Sequence, residues 1–127
     1  MEFIILKEYM MKMKKFTLVF LMFLPLGILA QEKFQKNTKT SFKVSGNCEM
    51  CKVRIEKASL SVKGVKMATW DIPSNIISVI YNPNKSPVED IHKAIAGAGH
   101  DTSIEKAPES VYVDLPTCCL YVREKIE

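Results

Sequence analysis

The chain has little excess charge of either sign, and it lacks the residues that a nucleic-acid surface requires. Its 127 residues include 18 lysines and arginines and 14 acidic residues. Four of the lysines and two of the acids precede the predicted mature start at Gln31, which leaves 14 basic and 12 acidic residues. No aromatic cluster suited to base stacking is present either. We expect no nucleic-acid partner, because such proteins concentrate Lys and Arg on one face.

A membrane-spanning stretch is also missing, although residues 16–29 are almost wholly apolar. These 14 residues are fewer than the roughly 20 that a helix needs to cross a bilayer. Lys12, Lys14 and Lys15 precede the run and Ala30 follows it, an arrangement typical of a cleavable export signal. No cysteine follows directly, which argues against a lipoprotein. We predict a periplasmic or secreted chain whose mature form has no membrane contact, with an uncleaved anchor as the alternative.

The composition along the chain predicts four segments. An N-terminal extension and signal peptide occupy residues 1–30. Residues 31–39 are polar and without periodicity, and we interpret them as a flexible lead-in. The domain itself is predicted over residues 40–106, and residues 107–127 form a C-terminal tail that contains a Cys-Cys pair.

Two hydrophobic periods alternate within the domain. A period of two predicts strands, and a period near 3.6 predicts amphipathic helices. The predicted elements are, in order, a strand from Thr40, a helix over 49–61, strands over 65–72 and 76–81, a helix capped by Ser86 that ends at Gly97–Gly99, and a weak strand over 101–106. This order predicts an α+β fold with a four-stranded antiparallel sheet and two helices on one face.

Four cysteines lie in the predicted mature chain, and their spacing does not favour structural disulfides. Cys48 and Cys51 are too close in sequence to close a stabilising loop, and the adjacent Cys118 and Cys119 can bridge only with strain. The Cys-Glu-Met-Cys motif lies at a predicted strand-to-helix junction, where the helix N-terminus lowers a thiol pKa. Two converging thiolates suit soft ions such as copper(I), whereas magnesium and calcium prefer oxygen. We predict a metal site at Cys48 and Cys51.

The sequence resembles the heavy-metal-associated (HMA) domain family of copper chaperones, copper-ATPase N-termini and periplasmic mercury-binding proteins. The resemblance covers roughly residues 40–105. The matching residues are Cys48-x-x-Cys51-x-x-x-Ile55-x-x-Ala58-x-Leu60, Gly64-Val65, Val79-x-Tyr81, Ile91-x-x-x-Ile95 and Gly99-His100-Asp101. The resemblance implies a ferredoxin-like βαββαβ open sandwich in which Cys48 and Cys51 are the metal ligands.

The two histidines receive different interpretations. His100 follows the second helix, and in some family members a histidine in that loop joins the metal site. The resemblance therefore makes His100 a possible additional ligand, with an exposed histidine at a helix end as the alternative. His92 falls on the outer face of the second helix, and we interpret it as a solvated side chain.

Several roles remain open for Cys118 and Cys119, which lie beyond the residues that match the family. The tail is able to fold back and supply a third or fourth sulfur to the same ion. A disulfide with Cys48 or Cys51 would instead mask the site under oxidising conditions. The pair would alternatively form a second metal site shared between two molecules. A further alternative is that the two thiols have no role.

The leading hypothesis is a carrier or scavenger of one soft ion that carries out no catalysis. Copper(I) is the first candidate, and mercury(II), silver, zinc and cadmium are alternatives, since thiolate pairs accept all of them. The expected partner is a metal-transporting ATPase or an efflux component that exchanges thiol ligands with this chain. We expect a monomer, with a metal-bridged dimer as the alternative.

Two other functions fit the same motif. A thiol–disulfide oxidoreductase also uses CxxC at the start of a helix. A non-transferring module that senses metal, or that assists an efflux system, would use the same ligands as a carrier. Reduction of insulin discriminates the first alternative, and co-purification of an efflux component discriminates the second.

Overall fold

The structure of the protein, a computed structural model, describes residues 2–23 and 36–124. These residues belong to two compact units. Helix α1, Glu2–Phe23, belongs to the first unit. Within the two described ranges, no helix combines the length and the apolar character needed to cross a bilayer. The later part of the predicted apolar run and the predicted cleavage site after Ala30 lie outside the described residues.

The second unit alternates strands and helices in the predicted order. Its elements are β1 Thr38–Lys43, α2 Glu49–Ser61, β2 Val65–Asp71, β3 Ile76–Tyr81, α3 Val88–Gly97, α4 Glu109–Val113 and a 3₁₀ turn at Thr117–Cys119. The helix over 49–61 and the strand over 76–81 have the bounds predicted from the periodicity. β1 begins at Thr38, two residues before the predicted start.

The sheet is antiparallel, with β3 between β1 and β2. β2 and β3 form the expected hairpin, and Asn75 closes its turn with a φ of 58°. Alternate residues of these strands are buried on one face, namely Ala68, Trp70, Ile77, Val79 and Tyr81. The period of two therefore defines the face on which the core forms.

Helices α2 and α3 contact each other and contribute to the core over this face. Ile55 of α2 and Ile91 and Ile95 of α3 are fully buried. Trp70 is also fully buried, and its indole Nε1 donates a hydrogen bond to the carbonyl oxygen of Val44 at 3.1 Å. The end of β1 is thereby joined to the core directly before the cysteine motif.

The predicted fourth strand over 101–106 is not confirmed as a strand. Thr102 forms a single antiparallel bridge with Val44, at the β1 edge of the sheet. The Thr102 Oγ1 accepts a hydrogen bond from the N–H of Glu105, and an Asp101 carboxylate oxygen accepts one from the N–H of Ala107. These side chains bind backbone groups nearby and favour a turn over a continuous ladder.

The start of α3 also differs from the prediction. The residue at its N-cap is Pro87, and no side chain caps the helix. Ser86 therefore does not have the predicted capping role. Pro is nevertheless well suited to the start of a helix, because its fixed φ is close to the helical value.

The tail after residue 107 packs into the core. Leu115, Cys119 and Tyr121 are at most 6% exposed and belong to the same buried cluster as Trp70 and Ile55. The 3₁₀ turn that carries Cys118 and Cys119 contacts α2. The tail thus brings its cysteine pair to the helix that begins with the Cys48–Cys51 motif.

Candidate metal centre

The loop between β1 and α2 lies directly on the core. A Cβ atom on Gly46 would be 2.9 Å from the Trp70 ring and 3.1 Å from the Cβ of Cys51. Real Cβ atoms do not approach other atoms so closely without displacing them. Gly46 therefore allows the backbone before Cys48 to pack against Trp70, and the ring supports the loop that carries Cys48.

Cys48 and Cys51 lie at the start of α2, as the sequence predicts. Cys48 is the N-cap residue and Cys51 belongs to the first turn, and their Sγ atoms are 3.6 Å apart. The Asn47 N–H donates a hydrogen bond to the Cys51 Sγ at 3.4 Å. Cys48 is half-buried, whereas Cys51 is fully buried.

The helix start favours the thiolate form of Cys48. The backbone N–H of Cys51 is the main cause that lowers the pKa of the Cys48 thiol to about 7, and partial burial opposes it. The Cys51 side chain and the Met50 N–H lower the pKa of Cys48 further. A large share of Cys48 is ionised at neutral pH, which is the form that binds a metal or attacks a disulfide.

The tail places two more sulfur atoms beside Cys48. The Cys119 Sγ is 4.0 Å from that of Cys48 and 4.0 Å from that of Cys118. The three Sγ atoms of Cys48, Cys118 and Cys119 all lie within 4.8 Å of one another. Cys118 is exposed, and its Sγ lies 3.4 Å from the thioether sulfur of Met50.

The pKa of Cys119 is shifted in the opposite direction to that of Cys48, although the two thiols are neighbours. Burial, followed by interaction with the Cys51 thiol, raises the pKa of Cys119 far above its usual value. Without a metal, Cys119 is a neutral thiol at physiological pH. A soft ion would have to displace its proton, because the ligand form of cysteine is the thiolate.

The group of three thiols includes neither Cys51 nor His100. The His100 ring is fully buried, and its Nδ1 donates to the Ser45 carbonyl oxygen at 2.9 Å. The Nε2 of His100 is buried without a hydrogen-bond partner in the described part of the chain. The alternative of an exposed histidine at a helix end is therefore wrong.

The solvated interpretation of His92 is also wrong. His92 is 4% exposed, it stacks on Phe42 with 3.8 Å between ring centroids, and its Nδ1 lies 2.7 Å from the Thr102 Oγ1. β1 and the Thr102 turn both reach its side of α3 and cover it. Helical periodicity does not reveal this cover, because the covering residues are distant in sequence.

Sequence reasoning did not identify the residues that hold the tail in place. The Tyr121 hydroxyl donates to the Gly99 carbonyl oxygen and accepts from the Asp101 N–H. The Arg123 guanidinium donates to both carboxylate oxygens of Asp101, at 2.6 and 2.9 Å. The Asn47 side-chain amide donates to the Leu120 carbonyl oxygen at 3.1 Å. No local pattern in the sequence pairs these residues.

The domain is similar in sequence to a known family and to a known copper chaperone. The sequence model of the heavy-metal-associated domain matches residues 41–101. The copper chaperone CopZ of Staphylococcus haemolyticus (strain JCSC1435) is 33% identical over 55 residues, which cover 43% of this chain and 81% of CopZ.

Two solved structures share the fold. Oxidized MerP from Ralstonia metallidurans CH34 superposes with a TM-score of 0.51 at 25% identity, over 55% of this chain and 99% of MerP. The Cu(I)-loaded N-terminal domain of a potential copper-translocating P-type ATPase from Bacillus subtilis gives a TM-score of 0.51 at 28% identity, over 59% of this chain and 95% of that domain. The predicted α+β, ferredoxin-like class is confirmed.

Proposed function

Since this chain belongs to the heavy-metal-associated domain family, we propose that it binds a soft metal ion through Cys48 and Cys51 and carries or delivers it. Copper(I) is the first candidate, because the relatives include a copper chaperone and a domain loaded with Cu(I). Mercury(II) is next, because the family that the sequence resembles includes periplasmic mercury-binding proteins, and silver, zinc and cadmium are further alternatives. The chain carries out no catalysis in this role.

One observation carries the proposal. The Sγ atoms of Cys48 and Cys51 are 3.6 Å apart at the start of α2, and the pKa of Cys48 is lowered to about 7. Soft thiolate sulfurs at this separation suit copper(I) and disfavour magnesium and calcium, which prefer oxygen ligands. The half-buried Cys48 leaves a route by which a partner's thiol can approach the ion.

Anaerobic titration of the reduced full chain with copper(I), in competition with a chromophoric chelator, tests the proposal. We expect about one tightly bound ion per chain, and we expect the double variant Cys48→Ser, Cys51→Ser to lose it. The matched control is Glu49→Gln. Glu49 is an exposed residue of the same motif, so this variant should bind copper(I) as the unaltered chain does. Tight binding retained in the double variant would refute the role of these two thiols.

The partner in this proposal is a metal-transporting ATPase or an efflux component that receives the ion by thiol exchange. The similarity to the N-terminal domain of a potential copper-translocating P-type ATPase supports the proposal, since that domain shares the fold. We expect copper(I) to pass from the loaded chain to a partner domain that carries its own thiol pair. Separation of the two proteins after mixing, with metal analysis of each, would measure that transfer. An accessory or sensing module would bind the ion but would not pass it on.

Export to the periplasm or the exterior is part of the proposal. Lys12, Lys14 and Lys15 followed by the apolar residues 16–29 support it, since this is the arrangement of an export signal. Intact-mass measurement of the protein from the cell envelope should give a chain that lacks residues 1–30. A mass that retains these residues would favour the uncleaved anchor.

A thiol–disulfide oxidoreductase is the second candidate function, and one observation favours it. Cys48 combines a lowered pKa with a buried partner thiol 3.6 Å away, as a redox dithiol does. In that reaction, two electrons pass to a substrate disulfide, its two sulfurs gain protons, and Cys48 and Cys51 form a disulfide. Catalysed reduction of insulin by dithiothreitol would support this function. A rate equal to that of dithiothreitol alone would exclude it.

A further inference from the structure

The cysteine pair of the tail is positioned by contacts that do not involve sulfur. Before the pair, Leu115 is buried against Gly99, where a Cβ atom would be 2.8 Å from the Leu115 Cδ2. After the pair, Tyr121 and Arg123 form hydrogen bonds to the loop at Gly99 and Asp101. Both flanks of the pair are therefore fixed to the same loop of the domain.

These contacts bring the tail thiols next to the motif thiols. The Cys48 Sγ is 3.6 Å from that of Cys51 and 4.0 Å from that of Cys119. The exposed Cys118 has its Sγ 4.0 Å from that of Cys119 and within 4.8 Å of that of Cys48. The family match ends at residue 101, so the tail pair is an addition to the matched domain.

The sulfur separations indicate how many ligands an ion would have. Collinear sulfurs at about 2.3 Å from a two-coordinate ion are about 4.6 Å apart, whereas trigonal and tetrahedral coordination give about 4.0 and 3.8 Å. The observed separations of 3.6 and 4.0 Å are shorter than the collinear value. They are close to the values for three or four sulfur ligands. Cys51 lies outside the group of sulfurs that are within 4.8 Å of one another, so coordination by all four requires the sulfurs to move closer together.

We propose that the tail completes the metal site: Cys119 is a third thiolate ligand beside Cys48 and Cys51, and Cys118 is a fourth for ions that prefer tetrahedral coordination. This inference rests on the proposed function of the Cys48–Cys51 pair. Copper(I) would have three thiolates and cadmium(II) four. Each thiol that becomes a ligand releases its proton to solvent, and the oxidation state of the ion does not change.

The arrangement has a consequence for transfer. Two segments distant in sequence hold the ion, so release requires the tail ligand to dissociate as well. Cys118 is the exposed thiol of the group, and it lies beside the exposed Met50. A partner's thiol would therefore meet Cys118 before it meets the buried Cys119.

X-ray absorption of the reduced full chain, loaded anaerobically with copper(I) or with cadmium(II), tests the inference. We expect about three sulfur neighbours for copper(I) and about four for cadmium(II). In the variant Cys118→Ser, Cys119→Ala, copper(I) should have about two sulfurs and a shorter mean Cu–S distance. The matched control is Thr117→Ser, an exposed change in the same turn that should leave both numbers unaltered.

The single variant Cys118→Ser distinguishes the loss of a ligand from the loss of the fold, because Cys118 is exposed while Cys119 is in the core. It should keep the circular-dichroism spectrum, retain three sulfurs around copper(I) and lose one sulfur around cadmium(II). Two sulfurs around copper(I) in the unaltered chain would overturn the inference while leaving the proposed function intact. No bound copper(I) at all would instead refute the proposed function.

Discussion

At the scale of single residues, Gly99 has a backbone conformation that decides how the tail packs. Its φ is +105°, a region that L side chains rarely adopt, and a Cβ atom there would contact the Leu115 side chain at 2.8 Å. We expect Gly99→Ala to lower the free energy of unfolding by about 2 kcal/mol through backbone strain and the displacement of Leu115. Urea unfolding followed by circular dichroism measures this loss.

The matched control for that change is Gly97→Ala. Gly97 is the exposed last residue of α3, and a Cβ atom there would meet nothing within 4 Å. Alanine is the better helix former, so the control should be neutral or stabilising by up to about 1 kcal/mol. Equal losses in the two variants would contradict a special role for Gly99.

The two buried histidines make stability depend on pH. Burial is the main cause that lowers the pKa of His92 and of His100, although Glu89 and Glu105 act in the opposite direction on His92. Below about pH 6.5 the unfolded chain binds protons that the folded chain does not, so the free energy of unfolding should fall as pH decreases. The slope due to each histidine is at most about 1.4 kcal/mol per pH unit.

Urea unfolding at a series of pH values from about 7.5 to about 5 measures this slope. His92→Gln should reduce the slope, because glutamine does not titrate, and leave the part due to His100. NMR titration of the imidazole protons gives the two pKa values directly. A free energy of unfolding that is constant across pH 6.5 would show that neither ring is held neutral by the fold.

At the scale of elements, the tail depends on the ion pair between Arg123 and Asp101. The guanidinium donates to both oxygens of Asp101 and to the Ala107 carbonyl oxygen, and the two side chains are 16% and 7% exposed. We expect Arg123→Ala to cost on the order of 3 kcal/mol, because it leaves the buried Asp101 carboxylate without its partner. The midpoint of urea unfolding at pH 7, where Asp101 is ionised, measures the cost.

Lys43→Ala is the matched control, since it also removes a salt bridge to the tail. The Lys43–Glu124 side chains are 49% and 75% exposed, and surface pairs contribute little because water screens them. The control should change stability by less than about 1 kcal/mol. A similar cost for both variants would mean that the burial of Asp101 does not matter.

The helices and strands were largely predictable because their hydrophobic patterns are local. α2 and β3 have the predicted bounds, since apolar spacings of 3.6 and 2 distinguish them without tertiary information. The fourth strand was not confirmed because the Asp101 and Thr102 side chains bind backbone groups of the turn. The N-cap of α3 is Pro87, one residue after the predicted Ser86, because the ends of helices are defined less sharply by a sequence pattern than their interiors are.

At the scale of the whole molecule, only part of the candidate site could be predicted from the sequence. Cys48 and Cys51 are three residues apart at a helix start, so their convergence follows from local geometry. The approach of Cys119 to Cys48 spans 71 residues and depends on packing of Leu115 and Tyr121. Several placements of the tail were therefore open before the structure defined one.

The same packing makes the tail part of the domain's stability. Leu115, Cys119 and Tyr121 are buried in the core, and each buried apolar side chain contributes about 1.5–3 kcal/mol. We expect a fragment of residues 36–127 to unfold cooperatively in urea. A fragment of residues 36–107 should unfold at a much lower urea concentration, or be unfolded without urea, because it exposes the surfaces of Cys51 and Gly99 that the tail covers.

The slope of the urea transition, the m-value, shows why the fragment of residues 36–107 is less stable: it has either lost only the tail contacts or lost the packing of the whole core. A fragment that merely lacks tail contacts but folds around the remaining core should have a slightly smaller m-value, in proportion to the surface that it buries. A fragment whose core has become loose should show a broad transition with a much smaller m-value. An unchanged midpoint in residues 36–107 would show that the matched domain is stable alone. The tail would then be a cover held by the domain without stabilising it.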